Sequence, residues 1–404
     1  MQGDERIGTR VASVRKLRAM TQRELARRAN VSYSLLTKVE SGHAPATPAF
    51  IGAVARALRV PVPRIIGQPF PEADRRQSAR LHATVDPIRR ALLAEDVPTD
   101  APPRSTAELA ADVRRLSDLG RSASYVAIGE TLPVLLDELA TAVHAAPAAE
   151  QPRLYALLAE AYSGASSIAN LLGHLDLRDR VVDRIERASR RCDDPLRVHR
   201  VQWQRSASLM AASAYDLALR LMDRTRRDLG DDPTGMDPRT LSVYGSLYLR
   251  SAILAARAAR VNRADLARQS WAHVDAAREV AAMIGRDRDD YGLAFGPSNV
   301  AQHAVSVAVE LEDGPEALRL ARQTRLPGAV PAVRRGHHYI DVARGYLLND
   351  DNRGALRALQ TARRIAPQQT RHHPMVRETV QAIAANGRGN DELTRFASWL
   401  GLDG

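Results

Sequence analysis

Eight polar side chains crowd the start of the chain: Gln22 and Arg23, then Ser32, Tyr33, Ser34, Thr37, Lys38 and Ser41. Hydroxyls and an amide can donate and accept hydrogen bonds, and the two cations attract anions. This is recognition chemistry rather than acid–base or nucleophilic chemistry. The surroundings add charge. Residues 1–66 hold twelve Lys and Arg against four acids, so +8 of the formal net charge of +11 lies in the first sixth of the chain. A positive field concentrated this way is the footprint expected of a phosphate-binding module.

The elements that must carry these side chains can be read from spacing. Ile7, Val11, Val14 and Leu17 share one helical face. A second helix starts where Thr21 can cap and Glu24 can reach back in a capping box, and it turns its Leu25 and Ala26 inward. Asn30 tolerates the left-handed conformation of a tight turn, with Val31 plugging the core beneath it. Ser32 caps a third helix that buries Leu35, Leu36 and Val39 and stops at Gly42. A fourth follows Thr47-Pro48, with Ile51, Val54, Ala55 and Leu58 inward, and a short fifth follows Val60-Pro61. With Leu35, Leu36 and Val39 committed to the core, Tyr33, Ser34, Thr37, Lys38 and Ser41 must lie on the open face. A helix presented in this way fits the major groove of B-DNA, which is about 12 Å wide.

The stretch "MTQRELARRANVSYSLLTKVESGHAPATPAFIGAVARALRV" resembles the Cro/C1 or XRE-type helix-turn-helix, and the resemblance covers residues 6–66. It includes the T-Q-x-E-L-A start, the turn before Val31, the E-x-G exit and the A-x-x-L of the fourth helix. The resemblance implies that Gln22, Ser32, Tyr33, Ser34, Thr37 and Lys38 contact double-stranded DNA. It also implies a structural ion pair between Arg15 and Glu40. Asn30 departs from the family, where Gly is commoner. A compact basic bundle could also serve as a protein-interaction module.

Residues 67–104 change character: Pro69, Pro71, Pro87, Pro98, Pro102 and Pro103 punctuate a charged stretch, read as a linker with one helix near Ser78 to Ala94. Ser105-Thr106 with Glu108 then opens further helices, through Leu119 and from about Ser124 to Ala145. In the remainder an internal repeat emerges. "HHYIDVARGYLLNDDNRGALRALQTARRIAP" places Tyr339, Val342, Ala343 and Tyr346 in one helix, then Ala355, Leu359, Ala362 and Pro367, at spacings that resemble the tetratricopeptide signature. The register recurs at Ala169 with Val181, Ile185 and Ala188, and at Ser206 with Ala218, Met222 and Thr225. It returns at Ala255 with Ala267, Trp271 and Val274, and at Val305 with Ala317, Ala321 and Thr324. The expected architecture is all-α: a five-helix DNA-binding domain at 6–66, the linker, and an α-solenoid of helix hairpins at 105–404.

Stacked hairpins leave a concave surface lined by the first helix of each pair. By register that surface carries Asn170, Arg200, Trp203, Asn299, Gln302, His337 and Arg344. Amides and guanidiniums could fasten a peptide backbone or a carboxylate, and Trp203 offers a flat apolar contact. Asn299 could equally cap a helix after Gly296-Pro297-Ser298, and Trp203 could be core. The pairs His337-His338 and His372-His373 make a poor metal site, because neighbouring helical positions point to different faces.

Other function classes find little support. Lys16 follows Arg15 and Lys38 follows Thr37, so no Walker loop exists, and no H-E-x-x-H, G-x-S-x-G or Rossmann glycine pattern occurs. No enzymatic activity and no cofactor are expected. The single Cys192 rules out a disulfide framework, and neither a signal segment nor a run of about 18 apolar residues is present, which predicts a cytoplasmic protein with no membrane partner. The two parts together resemble bacterial transcription regulators, including actinobacterial ones, that join an XRE-type domain to a tetratricopeptide-like sensor. That resemblance implies a homodimer on a palindromic operator, with a peptide or small-molecule effector in the array. Two alternatives stay open: an array that docks a protein partner, and an array that serves only dimerisation.

Overall fold

The computed structural model describes residues 6–68, 77–97, 101–259, 264–386 and 391–402, and among these there are helices and no strands. Five helices form the head: α1 (Ile7–Leu17), α2 (Gln22–Ala29), α3 (Tyr33–Glu40), α4 (Pro48–Leu58) and α5 (Val62–Ile66). Each start is capped where the sequence provides an oxygen. Thr21 accepts the Glu24 amide, Ser32 the Leu35 amide and Thr47 the Phe50 amide, each satisfying an N–H that the first turn leaves unpaired. Asn30 ends α2 in the left-handed conformation (φ 54°, ψ 45°).

Two local expectations are corrected here. Glu24 does not complete a capping box, because its carboxylate pairs with Arg28 one turn on, at 2.6 Å. Leu17 is 77% exposed; it is the last residue of α1, and the helix has run past the core that Ile7, Val11 and Val14 fill. The core continues through Leu25, Leu36, Val39, Phe50, Ile51, Val54, Leu58 and Ile65, all buried, while Val31 and Leu35 pack against it half-buried.

The region expected to be a linker contains two helices, α6 (Gln77–Ala83) and α7 (Val85–Ala94), where one was predicted. Pro87 explains the break, since a proline ring clashes with the carbonyl four residues back, and that residue is Ala83, the last of α6. Pro69, Pro71 and Pro98 lie outside the described residues. The chain continues with α8 (Thr106–Arg121), α9 (Tyr125–Ala145), α10 (Gln151–Leu172), α11 (Leu175–Ser189), α12 (Leu196–Ala211) and α13 (Tyr215–Leu229). Then come α14 (Pro238–Ala259), α15 (Ala264–Ile284), α16 (Pro297–Glu310), α17 (Gly314–Gln323), α18 (Ala332–Leu348) and α19 (Asn352–Ile365). The last three are α20 (Pro367–His372), α21 (Pro374–Asn386) and α22 (Asp391–Leu400). No helix of the described residues is long and apolar enough to cross a membrane.

By contact the chain forms two compact units, one of residues 74–208 and one that joins residues 1–73 to 209–404. In the first, α10 packs against α8, α9 and α11, and the Ser105–Glu108 capping box opens α8. In the second, α14, α16 and α18 each pack against the helix that follows them, α15, α17 and α19, and also against one another in sequence. This consecutive packing is a helical repeat-like arrangement. The repeat-register positions Ala255, Val305 and Ala343 are wholly buried, as are Val274, Ala355, Leu359 and Ala362. Small side chains there let paired helices approach closely. The wide sequence offsets are absorbed by length, since α14 and α15 run 22 and 21 residues.

The head belongs to the second unit through direct contact. Its apolar core is continuous with a cluster that includes Val305, Ile340, Leu359 and Val376, and α4 packs on α14. At Gly52 a Cβ would stand 2.5 Å from the Tyr215 hydroxyl, so any larger residue would have to push that side chain aside.

Candidate nucleic-acid interface

The candidate interface is α3 and the start of α2, and its geometry is fixed from below. Arg15 on α1 donates to both carboxylate oxygens of Glu40 on α3, Nε to Oε1 at 2.8 Å and Nη2 to Oε2 at 2.9 Å. Its third donor, Nη1, holds the Met20 carbonyl at 2.8 Å, in the turn between α1 and α2. Both side chains are nearly buried, at 10% and 5% exposure, and the Glu40 carboxylate holds the Arg15 guanidinium above its ordinary pKa. A bidentate pair of this kind fixes direction as well as distance. The pair implied by the sequence resemblance is therefore present, and it clamps α1, the turn and α3 together.

Gln22 belongs to the same network: its Nε2 donates to Glu40 Oε2 at 2.8 Å. The amide at the opening of α2 is thus held in place, with its carbonyl oxygen and a second N–H left over. Gly8 provides the other constraint. A Cβ there would stand 1.9 Å from the Val39 carbonyl oxygen, so α1 and α3 cross in backbone contact.

These constraints leave one flank of α3 open. Ser32, Tyr33, Ser34, Lys38 and Ser41 are exposed, Thr37 is half-buried, and Tyr33 keeps 47% of its surface. Ser32 uses its hydroxyl oxygen to cap α3, at 3.1 Å from the Leu35 amide. Thr37 and Ser41 donate their hydroxyls to carbonyls one turn back, Tyr33 and Thr37, at 2.9 and 2.8 Å. Arg23 is exposed and sits over the Tyr33 ring, 5.6 Å from its centre, bringing the start of α2 and the start of α3 into one surface. The eight residues singled out in the sequence therefore lie on α2, α3 and their flanking caps. His43 joins them at the exit of α3, its Nδ1 2.8 Å from the Ser41 hydroxyl; its place one residue beyond the helix stop was the only sequence signal for it.

The seven residues assigned by register to an array surface divide between the two units. Asn170, Arg200 and Trp203 are in the first, where Asn170 accepts from Arg178 at 3.2 Å and Arg200 lies over the Trp203 ring at 5.7 Å. Asn299, Gln302, His337 and Arg344 are in the second. Asn299 does not cap α16: it lies inside the helix, buried, with its Nδ2 donating to the Leu293 carbonyl at 3.2 Å. Arg344 is buried against Glu310 and Asp341, each at 3.0 Å. His337 is half-exposed whereas His338 is buried, so the adjacent histidines do face apart. Sequence reasoning missed Glu310, Asp341 and Ser306, which join these residues. The recurrence of Arg334, His337, Asp341 and Arg344 at helical spacing on α18 was a signal that could have found Asp341.

Residues 11–65 match the helix-turn-helix family model. The match begins within α1, takes in α2, α3 and α4, and stops within α5. No curated protein matches the chain.

Proposed function

We propose that this chain is a sequence-specific DNA-binding transcription regulator, placing α3 in the major groove as a homodimer on a palindromic operator. The observation that carries this reading is the exposed flank of Tyr33, Ser34 and Lys38 on a helix whose opposite side is locked by Arg15, Glu40 and Gly8. Base edges can be read only by side chains whose supporting helix does not move, and phosphates supply the nonspecific part of the affinity. The leftover carbonyl and N–H of Gln22 form an adjacent acceptor and donor, which is the pattern adenine offers in the major groove. Two such heads would sit on half-sites about one helical turn, roughly 34 Å, apart.

The helical array supports the second half of the reading, a sensor built from tetratricopeptide-like hairpins that binds a small molecule or peptide. The head shares its apolar core with the array, so an effector that alters helix packing there changes the head's position. Protein docking and pure dimerisation are the competing roles for the array. The test is genomic DNA capture with sequencing, for the wild type and for Lys38→Ala. A palindromic motif enriched by the wild type and lost in the variant supports the regulator. Failure to retain any duplex at low ionic strength ends it.

A further inference from the structure

Helix α19 carries four arginines, Arg353, Arg357, Arg363 and Arg364, and no acid. Arg353, Arg357, Gln360 and Arg364 recur at helical spacing and share one face, opposite the buried Ala355, Leu359 and Ala362. The three arginines of that face are exposed. Several exposed helical arginines elsewhere are paired with an acid one turn away: Arg28 with Glu24 on α2, Arg190 with Glu186 on α11, Arg227 with Asp223 on α13 and Arg319 with Glu316 on α17. The α19 arginines form no ion pair among the described residues, and the stripe's one side-chain bond runs from Arg364 Nη2 to the Thr361 hydroxyl at 3.1 Å. Uncompensated positive charge is therefore gathered along one face of a single helix.

Beside the stripe, α19 and α22 border an open cavity of about 410 Å³, lined by Gln360 and Arg363 from α19 and by Glu392, Arg395 and Phe396 from α22. The Arg363 guanidinium lies over the Trp399 ring, 4.4 Å from its centre, and 6.0 Å from that of Phe396. Aromatic rings thus back its flat face. Its N–H edge makes no hydrogen bond among the described residues and stays available to a planar acceptor such as a carboxylate. Burial and the neighbouring Arg371 both lower the Arg363 pKa, a deficit that an anion in the cavity offsets. Glu392 and Arg395 stand one turn apart on α22 without closing on each other, so the cavity presents cationic donors and an acceptor together.

We propose that this face docks an acidic peptide segment: one carboxylate enters the cavity to meet Arg363 and Arg395, and neighbouring acids lie along Arg353, Arg357 and Arg364. The proposal rests on reading the array as a binding domain, and it names the ligand's charge and its seat. Nucleic acid is the other polyanion that a cationic stripe attracts, and two lining residues favour the peptide. Glu392 repels phosphates but accepts peptide N–H groups, and the Gln360 amide can serve both the N–H and the C=O of an extended backbone. Charge along the stripe steers the encounter, and the cavity contact lengthens the stay.

The experiment titrates the full chain with a labelled peptide of alternating Glu and Ser at fixed ionic strength, followed by fluorescence anisotropy, with the matching Gln and Ser peptide as reference. The head is also cationic, so variants locate the binding: Arg357→Gln together with Arg364→Gln for the stripe, Arg363→Gln for the cavity and Lys38→Ala for the head. Saturable binding of the acidic peptide is expected, weakened about tenfold or more by the stripe pair and by Arg363→Gln, and unchanged by Lys38→Ala. Arg395→Gln, at an exposed position, replaces Arg363→Gln should loss of the Trp399 contact unfold the chain. The proposal is overturned if the acidic peptide binds no better than its Gln counterpart, or if binding survives the stripe and cavity variants. It is also overturned if those variants weaken random duplex DNA more than they weaken the peptide, which makes α19 a nucleic-acid contact. Duplex affinity measured with and without the peptide judges the sensor reading separately: peptide binding that leaves DNA affinity unchanged upholds the docking face and removes the sensing role.

Discussion

The backbone N–H of Ala46 donates to Glu378 Oε1 at 2.6 Å, tying the loop that leaves α3 to α21 of the array. This bond is an anchor between the reading head and the helices behind it. A small cavity lies beside it, lined among others by Ala46, Thr47, Arg344, Met375 and Glu378. Arg344, which pairs with Glu310 and Asp341, also lines this cavity. Desolvation raises the Glu378 pKa to about 7, against the opposing influence of the Ala46 amide and of Arg10 and Arg6.

The first prediction concerns pH. An acid whose folded pKa lies above its unfolded value binds more protons when folded, so its contribution favours folding at low pH and is lost as pH rises from about 4.5 through 7. Relative to a variant that lacks the carboxylate, the wild type should therefore gain stability on acidification from pH 8 to pH 6, while buried histidines with lowered pKa, His337 and His373 among them, pull both proteins the other way. Glu378→Gln is neutral throughout and keeps an oxygen for Ala46. It should melt higher than wild type at pH 8, by a margin that narrows towards pH 6. Melting curves across that range check this, and a wild-type profile identical to that of the variant would refute it.

Gly8→Ala tests the backbone contact beneath α3. The added methyl meets the Val39 carbonyl at 1.9 Å, and neither backbone can yield without separating α1 from α3. The expected loss is roughly 1–3 kcal/mol of stability, read from urea denaturation, together with weaker specific DNA binding because α3 is displaced.

Glu40→Ala removes the common acceptor of Arg15 and Gln22. It leaves a nearly buried guanidinium unpaired, at a cost of about 3–5 kcal/mol where such a group cannot rehydrate. Because Gln22 also loses its tether, the variant should lose sequence preference even under conditions where the head stays folded. Comparing a selected site with random duplex by fluorescence anisotropy separates the two effects.

Lys38→Ala changes an exposed side chain, so stability should stay within about 0.5 kcal/mol of wild type. Specific affinity should fall by about 1–3 kcal/mol if the ammonium reaches a base edge. A lysine that meets only phosphate would instead weaken all duplexes alike and flatten the salt dependence by about one ion.

The head was legible in the sequence almost residue by residue. Caps at Thr21, Ser32 and Thr47 and the turn at Asn30 are local signals, and local signals need no tertiary context. Leu17 was misread because its position on the apolar face of α1 says nothing of where the core ends. Glu24 was misread because a capping box and an i,i+4 pair with Arg28 compete within a few tenths of a kcal/mol. In the array, the small positions Ala255, Val305 and Ala343 could be found because close helix approach leaves a repeating trace. Its polar cluster was half visible: Gln302, His337 and Arg344 came from register, whereas Glu310 and Asp341 were not singled out.

The sequence by itself determined the helices, the capped turns and the polar flank of α3, because periodicity and caps are set by neighbours along the chain. Tertiary structure alone decided that Glu378 anchors Ala46 from 332 residues away, that Gly52 admits Tyr215, and that Arg257, Glu310 and Arg344 meet in one place. Such contacts depend on which faces pack after each helix has formed, and a hydrogen bond between distant residues imposes no spacing on the sequence that could announce it.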